Sequence, residues 1–308
     1  MSKKAVSDKN LAASIRQRLL NLAKERGDDF NFILTQYAIQ RVLYRLSQSS
    51  YRDRFLLKGA WLFSVWSKEI HRPTRDADFL GYGDNNVENL LTIFQEICSI
   101  AADDGLLFDI DSFSAVRIKE DAIYEGVRIT AYAELARARI AIQLDVAFGD
   151  VVTPGAEEAA VPVYLDLPVP HLKVYPAYTV IAEKFQAMVA LGVANSRMKD
   201  FYDIWRIAQL MQLDGAVLLQ AIMATFKQRE THLTDQLPLV LSMDFRLDTN
   251  KQRQWNAFLQ KNRLPNEIDF VILLEQLDVL LRPVFLAMNN QTNWSKQWSP
   301  EQWQWVNT

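Results

Sequence analysis

The chain has 308 residues, of which 49% are hydrophobic and 23% are charged, a profile typical of a globular protein. Its formal net charge of −3 gives no overall attraction for nucleic acid or an anionic membrane, so a nucleic-acid partner would need a local basic patch. Cys98 is the single cysteine, which excludes an intramolecular disulfide and a cysteine-rich zinc site. No apolar stretch approaches the roughly 20 residues that span a bilayer, and the N-terminus lacks the apolar core of a signal peptide. We therefore expect a soluble, cytoplasmic protein.

The first part of the sequence alternates helices with short extended segments. Apolar residues recur at helical spacing over 7–25, 32–48 and 86–102, which predicts three helices. Between the last two, "RFLLKGAWLFSVW" predicts a short strand or turn that opens a helix. The next segment, "TRDADFLGYG", predicts a strand that ends at Gly81 and Gly83.

The apolar pattern then changes to a period of two. The segments "LLFDIDSFSAVRI", "EGVRITAYAEL" and "RIAIQLDVAFG" predict three consecutive strands, and their short connections favour antiparallel pairing. A proline-interrupted connection follows, and from about Ala177 onward the sequence is almost entirely helical. We therefore predict an α+β fold, with a mixed sheet and flanking helices over residues 1–170 and an all-α domain over 171–308.

Three aspartates are candidate metal ligands. Asp76 and Asp78 stand on alternate positions of a predicted strand, so both side chains point to one face. Such a pair can simply be solvated, but two carboxylates this close repel each other, and Mg²⁺ or Mn²⁺ would offset the repulsion. Asp145 lies in an otherwise apolar strand, where it either faces solvent or completes a three-carboxylate cluster. A cluster of this kind can hold two ions for phosphoryl transfer.

Lysines and small residues add two further candidates. Lys58, Gly59 and Ala60 precede a predicted helix, where small residues let backbone N–H groups approach a phosphate. Lys184 lies in a largely apolar helical segment. It is either a surface lysine that pairs with a neighbouring acid or a cation for a triphosphate.

Together these segments carry a resemblance to a known family. Five segments follow one another in the order "LLKGAWLFSVW", "HRPTRDADFLG", "LDVAFGD", "TVIAEKFQAMVALG" and "RMKDFYDIW". This order resembles that of the AbiEii/AbiGii nucleotidyltransferase toxins, which belong to the DNA polymerase β-like nucleotidyltransferase superfamily. The resemblance covers about residues 33–210. The residues that match the family's motifs are Gly59, Ala60, Arg72, Thr74, Asp76, Asp78, Ala182, Glu183, Lys184, Lys199, Asp200 and Asp203. The family more often has K-G-G where this sequence has Ala60, and alanine adopts positive φ less easily than glycine.

The resemblance implies a nucleotidyltransferase fold and a metal-dependent enzyme that transfers NMP from an NTP to an acceptor hydroxyl, with release of pyrophosphate. It implies that Mg²⁺ or Mn²⁺ is bound by Asp76, Asp78 and Asp145, and that the ion at Asp145 lowers the pKa of the acceptor hydroxyl. Asp200 would orient Lys184 or the acceptor, and Asp203 would cap or support its helix. The implied nucleotide-binding residues are Lys58, Gly59, Ala60, Arg72, Thr74 and Lys184.

The biological role that the resemblance implies is that of a toxin in a toxin–antitoxin system for phage defence by abortive infection. Its partners would be an NTP, the 3′ end of tRNA as acceptor and a cognate antitoxin protein. No membrane partner is expected. Two alternatives stay open. One is a phosphotransferase or NMP transferase that acts on a protein hydroxyl, and the other is an inactive relative that binds protein or RNA.

Two features outside these motifs are assigned from their local context. His71 is predicted to be a loop residue, with a nucleotide contact as the alternative. The C-terminal segment "WSKQWSPEQWQWVNT" contains four of the eight tryptophans. We predict that it packs on the helical domain rather than stacking on RNA bases.

Overall fold

A computed structural model describes residues 3–67, 72–119, 125–232, 236–265 and 268–307, so His71 lies outside the described residues. The chain forms two compact units. The first comprises residues 1–149 and 157–174, and the second comprises residues 150–156 and 175–308. Within the described ranges, no helix is long and apolar enough to cross a membrane.

The first unit combines four α-helices with seven strands in its described part. Its helices are α1 (Lys3–Arg26), α2 (Phe30–Gln48), α3 (Trp61–Ser67) and α4 (Val87–Ser99). Its strands are β1 (Phe55–Lys58), β2 (Ala77–Gly81), β3 (Leu107–Lys119), β4 (Glu125–Leu135), β5 (Ala138–Phe148), β6 (Glu157–Ala160) and β7 (His171–Val174). The three consecutive strands predicted from the sequence are β3, β4 and β5.

The seven strands form one mixed sheet in the order β3-β4-β5-β2-β1-β7-β6. Neighbours along β3-β4-β5 are antiparallel, as predicted. Strand β2 then lies between β5 and β1, parallel to β5 and antiparallel to β1. This order brings the strand that contains Asp78 directly beside the strand that contains Asp145.

Strand β5 shows how the period of two divides the sheet into two faces. Ile140, Ile142 and Leu144 are buried on one face, and α2 contacts this strand. The intervening residues, including Gln143 and Asp145, belong to the opposite face. The sheet therefore buries its apolar face and carries the carboxylate on the other.

A buried ion cluster anchors α2. The Arg45 Nη1 and Arg41 Nε atoms lie 2.5 and 3.1 Å from Asp104 Oδ2, and all three side chains are at most 3% exposed. The Tyr37 hydroxyl also donates to the Asp104 carbonyl at 2.6 Å. One carboxylate therefore compensates two buried guanidinium groups, which links α2 to the loop that precedes β3.

Asp104→Asn should lower the free energy of unfolding by about 3–5 kcal/mol, because the substitution leaves buried cations without their counter-charge. Denaturant titration of the full chain measures this loss. Asp53→Asn is the matched control, since Asp53 pairs with Lys173 at an exposed position and should leave stability unchanged within error. Equal effects from the two substitutions would contradict the role assigned to Asp104.

The second unit is mainly helical. Its helices are α5 (Ala177–Leu191), α6 (Met198–Leu210), α7 (Gly215–Gln228), α8 (Met243–Leu247), α9 (Thr249–Lys261) and α10 (Phe270–Asn289). Three short strands, β8 (Leu213–Asp214), β9 (Lys296–Ser299) and β10 (Gln304–Asn307), form a small sheet in the order β10-β9-β8. The predicted α+β class and helical C-terminal region are confirmed, and the small sheet is an addition that the sequence analysis does not predict.

The tryptophan-rich C-terminal segment forms the β9–β10 pair. Trp298 is buried, and its indole N–H donates to the Ala208 carbonyl at 2.8 Å. The Trp305 indole donates to the Leu280 carbonyl at 3.0 Å. These contacts confirm that the segment packs on the helices of the second unit.

Candidate active site

Three carboxylates meet where β2 lies beside β5. In the parallel register Asp78 is opposite Asp145, and period-two alternation directs both to the same face of the sheet. Asp76 lies one residue before the start of β2. One carboxylate oxygen from each of the three aspartates lies within 4.8 Å of the others. The structure therefore brings together the three predicted metal ligands.

Loop contacts, rather than strand alternation, fix Asp76. The Thr74 hydroxyl donates to Asp76 Oδ1, and the Trp61 indole N–H donates to the Asp76 carbonyl at 2.9 Å. The Gln36 amide donates to the Thr74 carbonyl, which ties the loop to α2. Arg72 lies half-buried in the same loop. Thr74, which the resemblance places at the nucleotide, thus donates a hydrogen bond to one of the three carboxylates.

Gly59 provides space for Asp78. It has a φ of 75°, and a Cβ atom placed on it would overlap the Asp78 carboxylate. Ala60 is not among the residues with positive φ, so the departure from K-G-G introduces no backbone strain. Lys58 is buried and lies opposite Asp78 in the β1–β2 register. The predicted small-residue turn therefore lies against the carboxylate cluster.

Arg128 is a site residue that the sequence analysis missed. It lies opposite Asp145 in the antiparallel β4–β5 register. Its Nε and Nη2 atoms donate to Asp145 Oδ1 and Oδ2 at 2.8 and 2.7 Å, a two-pronged ion pair. The hydrogen bonds to Asp145 raise the pKa of Arg128, and the charges of Asp145, Asp76 and Asp78 add to this effect.

The later motifs come together within the second unit. The Lys184 Nζ atom on α5 lies 2.6 Å from Asp200 Oδ1 and 2.9 Å from Asp203 Oδ2, and both carboxylates are at most 1% exposed. Arg197 Nε lies 2.7 Å from the other oxygen of Asp200. Burial alone would raise the pKa of Asp200, but Lys184 and Arg197 outweigh it and hold this pKa below its usual range.

Both late aspartates therefore contact Lys184 directly. Asp203 lies within α6, one turn beyond its start, and supports Lys184 instead of capping the helix. Glu183, the neighbour of Lys184 in sequence, lies 3.7 Å from Arg229, which also pairs with Asp150 at 2.8 Å. The ion pair of Arg229 with Asp150 joins positions far apart in sequence, and no local pattern signals it.

The family model for the AbiEii nucleotidyl transferase toxin of type IV toxin–antitoxin systems matches residues 41–278, more than half of the chain. The chain belongs to this family. It is therefore a nucleotidyltransferase, and membership implies an NTP substrate and an antitoxin partner. No curated protein matches the sequence significantly.

One solved structure supports the fold, and two others are similar at lower TM-scores. The structure of JHP933 from Helicobacter pylori has a TM-score of 0.50 and 13% sequence identity, with 84% of this chain and 94% of that chain covered. A proposed nucleotidyltransferase from H. pylori has a TM-score of 0.45 and 13% identity, over 96% of this chain and 100% of the other. An antigenic nucleotidyltransferase-like protein from Paracoccidioides brasiliensis has a TM-score of 0.36 and 14% identity, over 78% of this chain and 92% of the other.

Gly59→Ala should lower the free energy of unfolding by about 2 kcal/mol or more, because it adds positive-φ strain and an overlap with Asp78. Gly27→Ala measures the cost of positive-φ strain alone, because Gly27 has a φ of 70° and open space around the added Cβ. That control should cost only about 1 kcal/mol. Urea denaturation compares the two, and a Gly59→Ala protein as stable as Gly27→Ala would contradict the close packing of Asp78.

Proposed function

We propose that this enzyme transfers a nucleoside monophosphate from an NTP to an RNA hydroxyl, in a reaction that depends on Mg²⁺ or Mn²⁺. The observation that carries the proposal is the convergence of Asp76, Asp78 and Asp145, whose oxygens lie within 4.8 Å of one another. Three carboxylates at this separation repel each other strongly, and a bound divalent cation relieves the repulsion.

The donor set fits such an ion. All three donors are carboxylate oxygens, which hard cations such as Mg²⁺ and Mn²⁺ prefer, and neither cysteine nor histidine is among them. When bound, the metal would supply Lewis-acid stabilisation of the triphosphate and lower the pKa of the acceptor hydroxyl, which attacks the α-phosphorus as pyrophosphate leaves.

The chain's own residues prepare this site. Thr74 and Trp61 fix Asp76, and the bare Gly59 backbone leaves room for the Asp78 carboxylate. We propose that the backbone around Lys58, Gly59 and Ala60, together with Arg72, binds the phosphates of the NTP. Small residues favour this role because they allow close approach to backbone N–H groups.

The role proposed for Lys184 is to stabilise negative charge on the triphosphate, as the resemblance implies. This role rests on the family resemblance, and two buried carboxylates hold the Lys184 ammonium group within the second unit. Asp200 is then a positioning residue for Lys184, with Asp203 as its second support.

For the acceptor we propose the 3′ end of tRNA, and for the biological outcome growth inhibition that a cognate antitoxin relieves. Membership of a type IV toxin–antitoxin family supports the second point. The tRNA acceptor rests on the family resemblance, so the test has to identify the acceptor independently.

The test incubates the purified chain with total tRNA, Mg²⁺ and each NTP, labelled in parallel at the α- or the γ-phosphate. We expect transfer of α-label to tRNA with at least one NTP, and no transfer after chelation of the metal. Asp78→Asn and Asp145→Asn should each reduce the rate by about a hundredfold or more, because each removes a charged ligand from the reacting centre.

Asp109→Asn is the matched control, since Asp109 is an exposed aspartate on β3 of the same sheet and should leave the rate unchanged. Transfer of γ-label would instead support a phosphotransferase. Label on protein rather than RNA would support a protein acceptor. Full activity of Asp78→Asn and Asp145→Asn would refute the proposed site.

A further inference from the structure

We propose that Arg128 acts as a resident counter-cation of the carboxylate cluster. In the metal-free protein it holds Asp145, and it gives up part of this pairing when a divalent cation binds, so that it sets the metal affinity of the site. The inference rests on the proposed function in one respect, namely that the same three carboxylates bind the metal.

The geometry of the pair supports competition. Arg128 donates to both oxygens of Asp145, at 2.8 and 2.7 Å. This two-pronged arrangement uses one lone pair on each carboxylate oxygen. One oxygen of Asp145 is also among those that converge with Asp76 and Asp78. A cation bound there therefore shares its ligand with Arg128.

Burial shows which partner is able to move. The Asp145 side chain is 6% exposed, whereas the Arg128 side chain is 39% exposed. Asp145 is also fixed between two strands, since it pairs in register with Asp78 on β2 and with Arg128 on β4. The Arg128 side chain is able to turn toward solvent when a metal ion binds, whereas Asp145 has to keep its position.

Charge gives the direction of the effect. The three carboxylates carry a formal charge of about −3 when ionised, and Arg128 offsets one unit. A divalent cation neutralises the cluster more completely, but it has to approach a guanidinium of the same sign. Removal of the guanidinium charge should therefore strengthen metal binding. It should also lower the stability of the metal-free protein, in which a buried carboxylate loses its counter-charge.

The experiment titrates the full-length protein with Mn²⁺ alone, without nucleotide, and measures free Mn²⁺ by electron paramagnetic resonance. Arg128→Gln removes the charge, and Arg128→Lys keeps the charge but loses the two-pronged pairing. Arg139→Gln is the matched control. It makes the same charge change on β5, where Arg139 is exposed and stacks on the Tyr132 ring at 3.6 Å.

We expect Arg128→Gln to bind Mn²⁺ about tenfold more tightly than wild type, because a like charge is removed from beside the ion. Arg128→Lys should bind about two- to threefold more tightly, since a single ammonium occupies the carboxylate less completely. Arg139→Gln should stay within about twofold of wild type. A second readout is the melting temperature, which should fall in chelator for Arg128→Gln and recover with Mn²⁺.

Unchanged or weaker Mn²⁺ binding by Arg128→Gln would overturn the inference, and if that variant does not fold, Arg128→Lys decides by the same criterion. Failure of the proposed function has a different signature. If the affinities shift as expected but no α-label is transferred, the proposed reaction is wrong and the role of Arg128 stands. If no variant binds Mn²⁺, the inference about Arg128 fails, and the labelled-transfer assay decides the proposed function by itself.

Discussion

The parallel pairing of β2 with β5 is the constraint on which the rest of the site depends. It sets Asp78 beside Asp145 on one face of the sheet, and it thereby creates a concentration of negative charge that the protein has to manage. Gly59 leaves room for one carboxylate, a hydrogen-bonded loop fixes Asp76, and Arg128 compensates Asp145. Each of these features makes physical sense as a response to the same repulsion.

The second unit handles its charges differently. There, Asp200 and Asp203 are fully buried, and Lys184 lies between them with Arg197 on the far side of Asp200. Two carboxylates that share one ammonium leave that ammonium little freedom to rotate. Buried ion pairs of this kind are weak evidence for stability. The late motifs of the family nevertheless form one cluster of side chains linked by short contacts, not three separate residues.

Local periodicity was sufficient to predict most elements of the sheet unit. The predicted helix over 32–48 corresponds to α2 at Phe30–Gln48, and the predicted helix over 86–102 corresponds to α4 at Val87–Ser99. The alternation of "RIAIQLDVAFG" allowed Asp145 either to face solvent or to complete a carboxylate cluster, and the structure has it 6% exposed and within the cluster. By contrast, the neighbour of each strand depends on contacts between distant segments. Thus the sequence left open whether β2 lies beside β5, and only the structure brings the three carboxylates together.

Arg128 illustrates the same limit within one hairpin. Its pairing with Asp145 requires the exact register of β4 and β5, which the turn at Ala136 and Arg137 sets with two positive φ angles. Turns of this type usually contain asparagine or glycine, so "LARAR" gives no such signal. The small sheet of the second unit was missed for a related reason, because β8 has only two residues and pairs with a strand more than eighty positions away.

The central claim is that Asp76, Asp78 and Asp145 together bind the catalytic metal. The most direct measurement is an anomalous-difference map from crystals of the full chain grown with Mn²⁺ and a non-hydrolysable NTP. We expect a strong peak within about 2.0–2.3 Å of oxygens from all three aspartates, with the triphosphate bound to the same ion. A bound nucleotide with no Mn²⁺ peak at these carboxylates would contradict the account.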